Sequence, residues 1–564
     1  MPWSSGDVTP LVVTDPGHAV DLALTRRVEL DRTGSVTEHL IGQARRQPDR
    51  PAVEDRRGTT TYLGLLQDAT RIVDCLAAEG VRPGDVVAVV GPRNGDTIAI
   101  LLALEGLGAV YLPLDPSWPR RRCLDILDDS RASALVRHAP GSPEAEAAAA
   151  TAGIPVLDPR SRWGAKRTSV GTSRAVPDAE PRYLLYTSGT TGEPKGAVVE
   201  QRGMLNHLWA KVLDLGLTGE DRIAFTAPLV FGISIWQMLA GLLVGATVVV
   251  IDEADTLFPT RLRTALARSS VSVVELVPAM LDWLVECLRA VAENDRLPAL
   301  RWLISTGEEL LPAVARRAAD VVPHARLLNA YGLTECSDDV AHHEVRGQDL
   351  DAVRLPIGTP VANAALYVLT DDGGSWRAAR QGEAGELFVG GVGVGAGYTD
   401  AATTRRAFHA DPFDPFSPTG RVYRTGDLAV VRDGLLYYLG RADRQIKLAG
   451  HRVELDEVEA ILTRHEAIVG CAVAPTSDRS GLHAHYVARG QVTDVELRQF
   501  LRTVLSPIMI PKQWTRLPQL PLNANGKVDR RALALDNAVS SGNGGGCEVV
   551  GKQSLSIASG DVDP

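Results

Sequence analysis

The sequence of 564 residues lacks long apolar runs and an N-terminal targeting pattern. Its longest apolar run, around residues 240–251, is too short to span a bilayer, so we expect no membrane segment. The first thirty residues carry Asp7, Asp15 and Asp21 and do not begin with basic residues followed by an apolar stretch. This pattern argues against a secretory signal and predicts a cytoplasmic protein.

Cysteine pairs and basic stripes are missing as well. The six cysteines stand singly, without a C-x-x-C pair, which argues against a disulfide framework or a zinc site and predicts reduced thiols. Acidic residues outnumber basic ones by 69 to 59, and no basic stripe is interleaved with aromatic residues. Because the electrostatic footprint of a nucleic-acid binder is absent, we expect no nucleic-acid partner.

The pattern of apolar residues predicts an α/β fold. Strand-length apolar runs such as residues 86–90 and 109–112 alternate with helical stretches such as residues 97–107. Such alternation favours β-α-β units and a largely parallel sheet with helices on both faces. Residues 364–398 contain short strand signals broken by glycine pairs, which indicates a smaller β-rich part.

A chain of this length predicts two to four folding units. Beyond residue 440, two helix signals flank a strand signal, which is enough for a small α+β domain. After Leu533 the composition becomes rich in Ser, Gly and Asn and cannot bury enough apolar surface to become ordered. We therefore expect a large α/β domain over residues 1–440, a small α+β domain over residues 441–535 and a disordered tail over residues 536–564.

Hydroxyl and glycine residues are concentrated in residues 186–196, which read YTSGTTGEPKG and follow an apolar segment. Consecutive hydroxyls and flexible glycines after a strand let backbone N–H and side-chain O–H groups close around phosphate oxygens, and Lys195 adds positive charge. The segment predicts a phosphate-binding loop, with a polar surface turn as the alternative. The G-x-x-x-x-G-K-[ST] spacing is absent, which argues against the common P-loop hydrolases.

Further motifs follow in order along the chain. They are LPLDPSWP at 112–119, NAYGLTE at 329–335, GELFVGG at 385–391, YRTGD at 423–427 and LPLNANGKVD at 520–529. Together with residues 186–196, they resemble the signature motifs of the acyl-adenylate-forming superfamily, and most closely those of its peptide-synthetase branch. The resemblance covers roughly residues 35–535 and implies a large N-terminal domain, a mobile C-terminal domain and ATP-dependent adenylation of a carboxylic acid.

The resemblance implies a nucleotide site with ATP and Mg²⁺ as cofactors. Tyr331 would stack on adenine, Asn329 would meet its exocyclic amine, and Asp427 would bind the ribose hydroxyls. Glu335 is the implied metal ligand, because a hard cation beside a triphosphate requires a carboxylate oxygen. The other nucleotide-site residues implied by the resemblance are Thr187, Ser188, Gly189, Thr191, Lys195, Gly307, Ala330, Thr334 and Arg441.

Lys527, Thr190 and Glu335 are the catalytic residues that the resemblance implies. Lys527 is similar to the family lysine that bridges the substrate carboxylate and the α-phosphate. A fixed cation and Mg²⁺ lower the repulsion between these two anions as charge redistributes in the transition state. Asp443 resembles the family's hinge residue, about which the small domain rotates. This rotation would remove Lys527 from the active site and present a second face of the small domain for the thiol step.

The substrate pocket departs from the family at Gly232. In members that activate α-amino acids, an aspartate at this position holds the α-ammonium, whereas glycine offers no charge to it. Either ordinary α-amino acids are not substrates, or the register is off by one, or another acid substitutes. The pocket-lining positions that the resemblance implies are Gly232, Ile233, Trp236, Glu275, Ile304, Thr306, Ala330, Asp338 and Asp339.

Three of these pocket positions are acidic. Glu275 lies in an apolar strand segment, where a lone carboxylate should be buried only if a positive or hydrogen-bonding group meets it. A cationic substrate group would supply that partner. Asp338 and Asp339 could equally be exposed acids on the loop after Glu335, and we expect surface or packing roles for His342.

We therefore predict a peptide-synthetase-type adenylating enzyme that loads a carrier-protein phosphopantetheine thiol with a small, non-standard amino- or guanidino-bearing acid and not with an ordinary α-amino acid. The segment after Leu533 shows no carrier-type helical bundle, so the carrier is expected to act in trans. A ligase that uses coenzyme A as the thiol is the nearest alternative. A catalytically silent nucleotide-binding module is a second alternative, against which Lys527, Glu335 and Asp427 argue.

Overall fold

Alternating strands and helices in the N-terminal part of the chain build two large sheets, as the apolar pattern predicts. A computed structural model describes residues 8–30, 34–138, 141–162, 176–187, 194–414, 417–476, 478–521, 528 and 533. The predicted mixed α/β class, with a large N-terminal part and a small C-terminal part, is confirmed. None of the helices among these residues is both long and apolar enough to cross a membrane.

Most neighbouring strands of the two large sheets run parallel, and antiparallel pairs occur toward their edges. In spatial order, the first sheet contains Gly397–Tyr398, Lys195–Glu200, Pro181–Thr187, Val110–Leu114, Val86–Val90, Ala134–Arg137 and Val156–Leu157. The second sheet contains Thr359–Pro360, Asp338–Val345, Arg326–Leu333, Trp302–Ser305, Val273–Leu276, Arg222–Phe225, Thr247–Val250, Pro51–Asp55 and Gly58–Thr61.

A third, largely antiparallel sheet includes the β-rich part predicted around residues 364–398. Its strands in spatial order are Thr9–Pro10, Phe408–Ala410, Arg421–Arg432, Ala384–Gly391, Ala364–Asp371 and Trp376–Ala378. Leu24–Thr25 pairs with Ala364–Asp371, and Leu435–Arg441 pairs with Arg421–Arg432.

Helices cover the sheets and close the main core between them. The helices of the large part are Pro16–Leu22, Val36–Arg46, Tyr62–Ala78, Gly95–Leu107, Arg120–Ser130, Pro143–Ala152, Gln201–Leu215, Gly232–Val244, Glu253–Thr256, Pro259–Arg268, Pro278–Arg289, Pro312–Val321 and Ala401–Ala407. Helix Gly95–Leu107 is predominantly apolar, and all of its residues from Asp96 to Glu105 are buried. It begins at Asn94, whose side chain accepts hydrogen bonds from two backbone N–H groups, and ends at Gly108 in the left-handed conformation.

The C-terminal part contains a hairpin and a small α+β unit. The hairpin pairs Gln445–Leu448 with His451–Glu454. The α+β unit combines strands Ile468–Pro475, Leu482–Ala488 and Gln513–Arg516 with helices Leu455–Leu462 and Asp494–Arg502. Its own apolar core includes Val458, Leu482 and Leu497, which is consistent with the separate small domain that the sequence predicts.

Candidate active site

Three neighbouring parallel strands of the second sheet end side by side, and the residues that follow them line a cavity of about 140 Å³. Ligands in open α/β sheets bind at the carboxyl ends of the strands, which is where this cavity lies. Other parts of its lining come from Gly232, at the start of a helix, and from His451, in the C-terminal hairpin. A second cavity of about 440 Å³ shares Gly307 and Arg441 with the first.

The second cavity collects the residues predicted to bind adenosine. Asn329, Ala330, Tyr331 and Asp427 line it. The hydroxyl of Tyr331 donates a hydrogen bond to Asp427, and Nη1 of Arg441 donates to Oδ1 of Asp427 at 2.9 Å. These contacts fix the Asp427 carboxylate at the cavity wall, while the nucleotide roles of these residues stay predictions.

The predicted phosphate-binding segment is described only at its ends. Thr187 ends one strand, Lys195 begins the next, and the two residues are antiparallel partners. Ser188, Gly189, Thr190 and Thr191 lie outside the described residues, as does the predicted catalytic Lys527.

The hydroxyl of Thr187 is buried and has no hydrogen-bond partner among the described residues, although its residue lines the smaller cavity. Nζ of Lys195 lies 3.7 Å from Oε1 of Glu454 in the hairpin. A hydroxyl donor therefore lines the cavity here, and a cation stands on the neighbouring strand.

The predicted metal ligand Glu335 is buried beside Thr334 in a short 3₁₀ turn, Thr334–Cys336. Its Oε1 accepts hydrogen bonds from the Tyr398 hydroxyl at 2.6 Å and from Nη1 of Arg452 at 2.7 Å. Burial raises the pKa of Glu335, but Arg452 and the Tyr398 hydrogen bond outweigh burial and hold the pKa below its usual value. Oε2 is buried without a partner among the described residues, so a hard carboxylate oxygen that would suit Mg²⁺ is present.

The C-terminal hairpin brings its turn to the cavity. The backbone N–H of Gly450 donates a hydrogen bond to Oε1 of Glu308 at 2.8 Å. The ring of His451 packs edge-on against the ring of Phe231, with 4.5 Å between the ring centres. Gly307 has a positive φ of 86°, and a Cβ there would lie 3.7 Å from the Cα of Gly450. The hairpin therefore approaches the strand ends closely.

Asp443, the predicted hinge, lies between strand Leu435–Arg441 and the hairpin. Its carboxylate accepts a hydrogen bond from Nη2 of Arg441 at 2.6 Å. This position joins the third sheet to the C-terminal part, and the hinge role itself stays a prediction.

Asp338 occupies the space that Gly232 leaves open. A Cβ at residue 232 would lie 2.9 Å from Oδ1 of Asp338, which is closer than real Cβ contacts come. Both residues line the smaller cavity, as do the predicted pocket residues Ile233 and Thr306. Asp338 lies on the strand after Glu335 and is only 8% exposed, so the alternative of an exposed loop acid is wrong for this residue.

Glu275 has internal partners, which corrects the expectation that a cationic substrate group would supply the partner of this buried carboxylate. Nζ of Lys211 lies 3.4 Å from Oε1 of Glu275, and Nε1 of Trp236 donates to Oε2 at 2.5 Å. Burial and the carboxylates of Asp339 and Asp338 raise the pKa of Glu275 to about 8, against the opposing effect of Lys211. Neither Glu275 nor Trp236 is among the residues that line the cavity.

Asp339 is likewise buried and paired, so its alternative as an exposed loop acid is also wrong. Its Oδ2 lies 2.5 Å from Nζ of Lys211 and 3.0 Å from Nε2 of His342. Burial alone would raise the pKa of Asp339, but Lys211 and His342 lower it. His342 also lies 2.8 Å from Asp214, so this buried histidine does have acidic partners.

Lys211, Trp236, Glu275 and Asp339 form what we call the cation cluster. The ammonium of Lys211 contacts both carboxylates and lies 4.6 Å from the centre of the Trp236 ring. The predicted pocket residue Ile304 is fully buried on the strand beside Glu275 and does not line the cavity.

Sequence reasoning missed Lys211, His207 and Arg452. Lys211 stands in an otherwise apolar stretch of helix Gln201–Leu215, and His207 lies four residues earlier, on the same helical face. A lone lysine in such a stretch, together with a buried acid predicted elsewhere, was the signal that could have found the pair. Nε2 of His207 lies 3.2 Å from Oδ2 of Asp338.

The chain matches the family described as AMP-binding enzyme over residues 41–399 and the AMP-binding enzyme C-terminal domain over residues 457–527. It therefore belongs to the AMP-binding enzyme family, whose members use ATP, and it is an adenylate-forming ligase of the nonribosomal peptide synthetase adenylation type. The resemblance seen in the motifs is thus confirmed.

Among curated relatives, tyrocidine synthase 3 of Brevibacillus parabrevis is 33% identical over 517 residues, which are 89% of this chain and 8% of that protein. Enterobactin synthase component F of Escherichia coli strain K12 is 32% identical over 550 residues, or 94% of this chain and 41% of that protein. The chain thus spans less than half the length of these relatives. The solved structure of holo-PA1221, an NRPS protein containing adenylation and PCP domains, is 28% identical, with a TM-score of 0.78 over 90% of this chain and 84% of that one.

Proposed function

We propose that this ligase activates a small, amino-bearing carboxylic acid as its acyl-AMP and passes the acyl group to the phosphopantetheine thiol of a carrier protein in trans. The observation that carries the substrate assignment is the Asp338 carboxylate, which lines the acyl cavity in the space beside Gly232. Asp338 therefore supports the alternative that another acid substitutes for the aspartate that is missing at position 232.

Carboxylate oxygens at and beside Asp338 support a cationic substrate group. Nε2 of His207 lies 3.2 Å from Oδ2 of Asp338, and Oδ1 of Asp339 is buried without a hydrogen-bond partner among the described residues. Buried polar atoms are nearly always paired, and an ammonium offers three donors to such a group. Burial, followed by the charge of Asp339, raises the pKa of Asp338, and a bound ammonium would stabilise the ionised form.

The arrangement around Glu335 supports adenylation chemistry. Tyr331 and Asp427 at the larger cavity suit adenosine, and the free Oε2 of Glu335 suits Mg²⁺ near the triphosphate. Lys195 and Thr187 stand at the phosphate side. These residues bind and orient ATP so that the substrate carboxylate attacks the α-phosphorus and pyrophosphate leaves.

The thiol step is supported by the hairpin at the cavity. The backbone N–H of Gly450 donates to Glu308, and Arg452 donates to Glu335, so the hairpin of the C-terminal part lies at the cavity. This is the arrangement in which a second half-reaction would take place, with Asp443 as the proposed hinge. The likeness to PA1221, a protein containing adenylation and PCP domains, favours a carrier protein as the acceptor.

Loading assays test the acceptor directly. The enzyme would be incubated with ATP, Mg²⁺ and the preferred acid, with either a holo carrier protein or coenzyme A, and the products weighed by mass spectrometry. We expect the acyl mass on the carrier's phosphopantetheine arm, whereas an apo carrier should stay unmodified. Acyl-CoA formed at a higher rate than acyl-carrier would show that the carrier assignment is wrong and that coenzyme A is the thiol.

A further inference from the structure

The cation cluster has the composition of a binding site for a substrate cation, but a residue of the chain fills it. Two carboxylates and an aromatic face surround the ammonium of Lys211, and all four side chains are fully buried. Carboxylates paired with an aromatic ring are how proteins recognise organic cations.

Three members of this cluster occupy positions where the family resemblance places substrate-lining side chains. They are Trp236, Glu275 and Asp339, and none of them lines the acyl cavity among the residues described. Lys211 comes from a different helix, Gln201–Leu215, and contacts each of the three. Asp338, the residue next to Asp339, does line that cavity, so the cation cluster lies beside the cavity wall.

We propose that Lys211 is a specificity-determining residue, a built-in substitute for a distal substrate cation that closes the acyl pocket beyond Asp338. The enzyme then accepts short acids with a single ammonium near the carboxylate and rejects acids with a second, distal ammonium. This inference rests on the proposed function, because it assumes that the cavity beside Gly232 binds the acyl group.

Two features support exclusion of a distal cation. The cavity of about 140 Å³ is small compared with the about 300–1,000 Å³ of typical ligand pockets. A second substrate ammonium approaching Lys211 would meet a like charge in a buried site, where the repulsion is weakly screened. The acids that could have attracted it, Glu275 and Asp339, already contact Lys211.

The first test compares pyrophosphate exchange by wild type, Lys211→Ala and Lys211→Met. The substrates are alanine, β-alanine, 2,3-diaminopropionate, 2,4-diaminobutyrate and ornithine. Removing the lysine side chain leaves space beside the carboxylates of Glu275 and Asp339. Lys211→Ala should therefore raise kcat/KM for the diamino acids, relative to kcat/KM for the monoamino acids, at least tenfold. Lys211→Met fills the same volume without a charge and should not raise this ratio. Lys512→Ala, which removes an exposed lysine, is the matched control.

The second test is independent of turnover. Lys211→Ala lacks three methylenes and an ammonium of the lysine side chain, and n-propylammonium supplies three carbons and an ammonium. Added n-propylammonium should therefore raise the thermal midpoint of Lys211→Ala and leave the midpoints of wild type and Lys211→Met unchanged. If Lys211→Ala does not fold, the double variant Lys211→Ala/Asp339→Asn, which removes one charge of each sign, takes its place in both tests with the same expected direction.

The inference holds only if both the ratio and the midpoint respond as stated. An unchanged ratio in a folded variant, or an equal effect of n-propylammonium on wild type, overturns it. If wild type shows exchange with none of the amino acids, the proposed function has failed, and the n-propylammonium shift alone then decides whether Lys211 fills a cation site.

Discussion

Arg452, in the C-terminal hairpin, donates a hydrogen bond from Nη1 to Oε1 of Glu335 in the large domain at a distance of 2.7 Å. The two residues are 117 positions apart, so the contact depends on how the C-terminal part sits on the strand ends. The carboxylate proposed to bind Mg²⁺ is thus held by an arginine when the hairpin lies at the cavity. Full use of Glu335 as a metal ligand competes with this contact.

Replacing Arg452 by Gln should therefore separate the two half-reactions. Without the guanidinium, Glu335 is more available to Mg²⁺, and the Mg²⁺ concentration for half-maximal pyrophosphate exchange should fall several-fold. Thioester formation should slow, because the hairpin loses its charged contact with the large domain. The matched control is Arg444→Gln, whose arginine pairs with Glu459 of the C-terminal part at 2.7 Å. Equal Mg²⁺ requirements in wild type and Arg452→Gln would show that Arg452 and Mg²⁺ do not compete for Glu335.

Asp338→Asn should weaken substrate binding and leave ATP binding intact. Losing a charged partner for an ammonium costs about 1.5–3 kcal/mol, which is about ten- to a hundredfold in KM for the amino-bearing acid. Glu275→Gln is the matched control, because Glu275 contacts Lys211 and Trp236 instead of the cavity. That variant should lower the thermal midpoint with little change in KM. A large KM effect from Glu275→Gln, with none from Asp338→Asn, would reverse the assignment.

His342 should make stability depend on pH in a defined direction. Burial lowers its pKa, but hydrogen bonds to Asp214 and Asp339 outweigh burial, and its pKa is raised above the ordinary value. Its charged form therefore contributes stability that is fully present below about pH 6.5, the unfolded value, and is lost as pH rises through the folded pKa.

Thermal midpoints of wild type and His342→Gln from pH 5.5 to 9 measure this effect. We expect a gap of a few degrees at the acidic end that narrows as pH rises. Asp214→Asn removes one of the two carboxylates that raise the pKa of His342. In that background, the difference in thermal midpoint caused by His342→Gln should decrease at a lower pH. A gap that is constant across this range would exclude the proposed ionisation.

Asp443→Ala should impair thioester formation more than adenylation. The substitution removes the ion pair with Arg441 at 2.6 Å, next to the segment where the third sheet meets the hairpin. A hinge affects the change between two arrangements more than either arrangement alone. Pyrophosphate exchange and single-turnover loading of a holo carrier would be compared, and an equal loss in both would count against the hinge.

Much of the fold, and the grouping of Asn329, Tyr331 and Glu335 near one another, could be predicted because the signals are local. The run Val86–Val90 is a strand in which all five residues are buried, as a strand-length apolar segment requires. Asn329 to Glu335 are contiguous, so one motif placed Asn329, Tyr331 and Glu335 at the same strand end.

The cation cluster could not be predicted, because its contacts join distant parts of the chain. Lys211 and Glu275 are 64 residues apart, and no spacing rule links a helix residue to a strand residue at that distance. An isolated acid in an apolar strand indicates that a positive or hydrogen-bonding group must meet it, but burial energetics do not say whether that group belongs to the substrate or to the chain. The physical requirement predicted for Glu275 is therefore right, and the predicted source of its partner is wrong.

ATP–pyrophosphate exchange without any thiol measures directly whether the chain adenylates an amino-bearing acid. Wild type and Lys527→Ala would be assayed with short α-, β- and ω-amino acids, guanidino acids, aryl acids and keto acids. We predict exchange with a short monoamino acid and a decrease of at least about a hundredfold in Lys527→Ala with ATP binding retained, since the lysine would act on charge in the transition state. Exchange driven best by an aryl or keto acid would show that an amino-bearing acid is not the substrate, and near-normal exchange by Lys527→Ala would show that Lys527 is not catalytic.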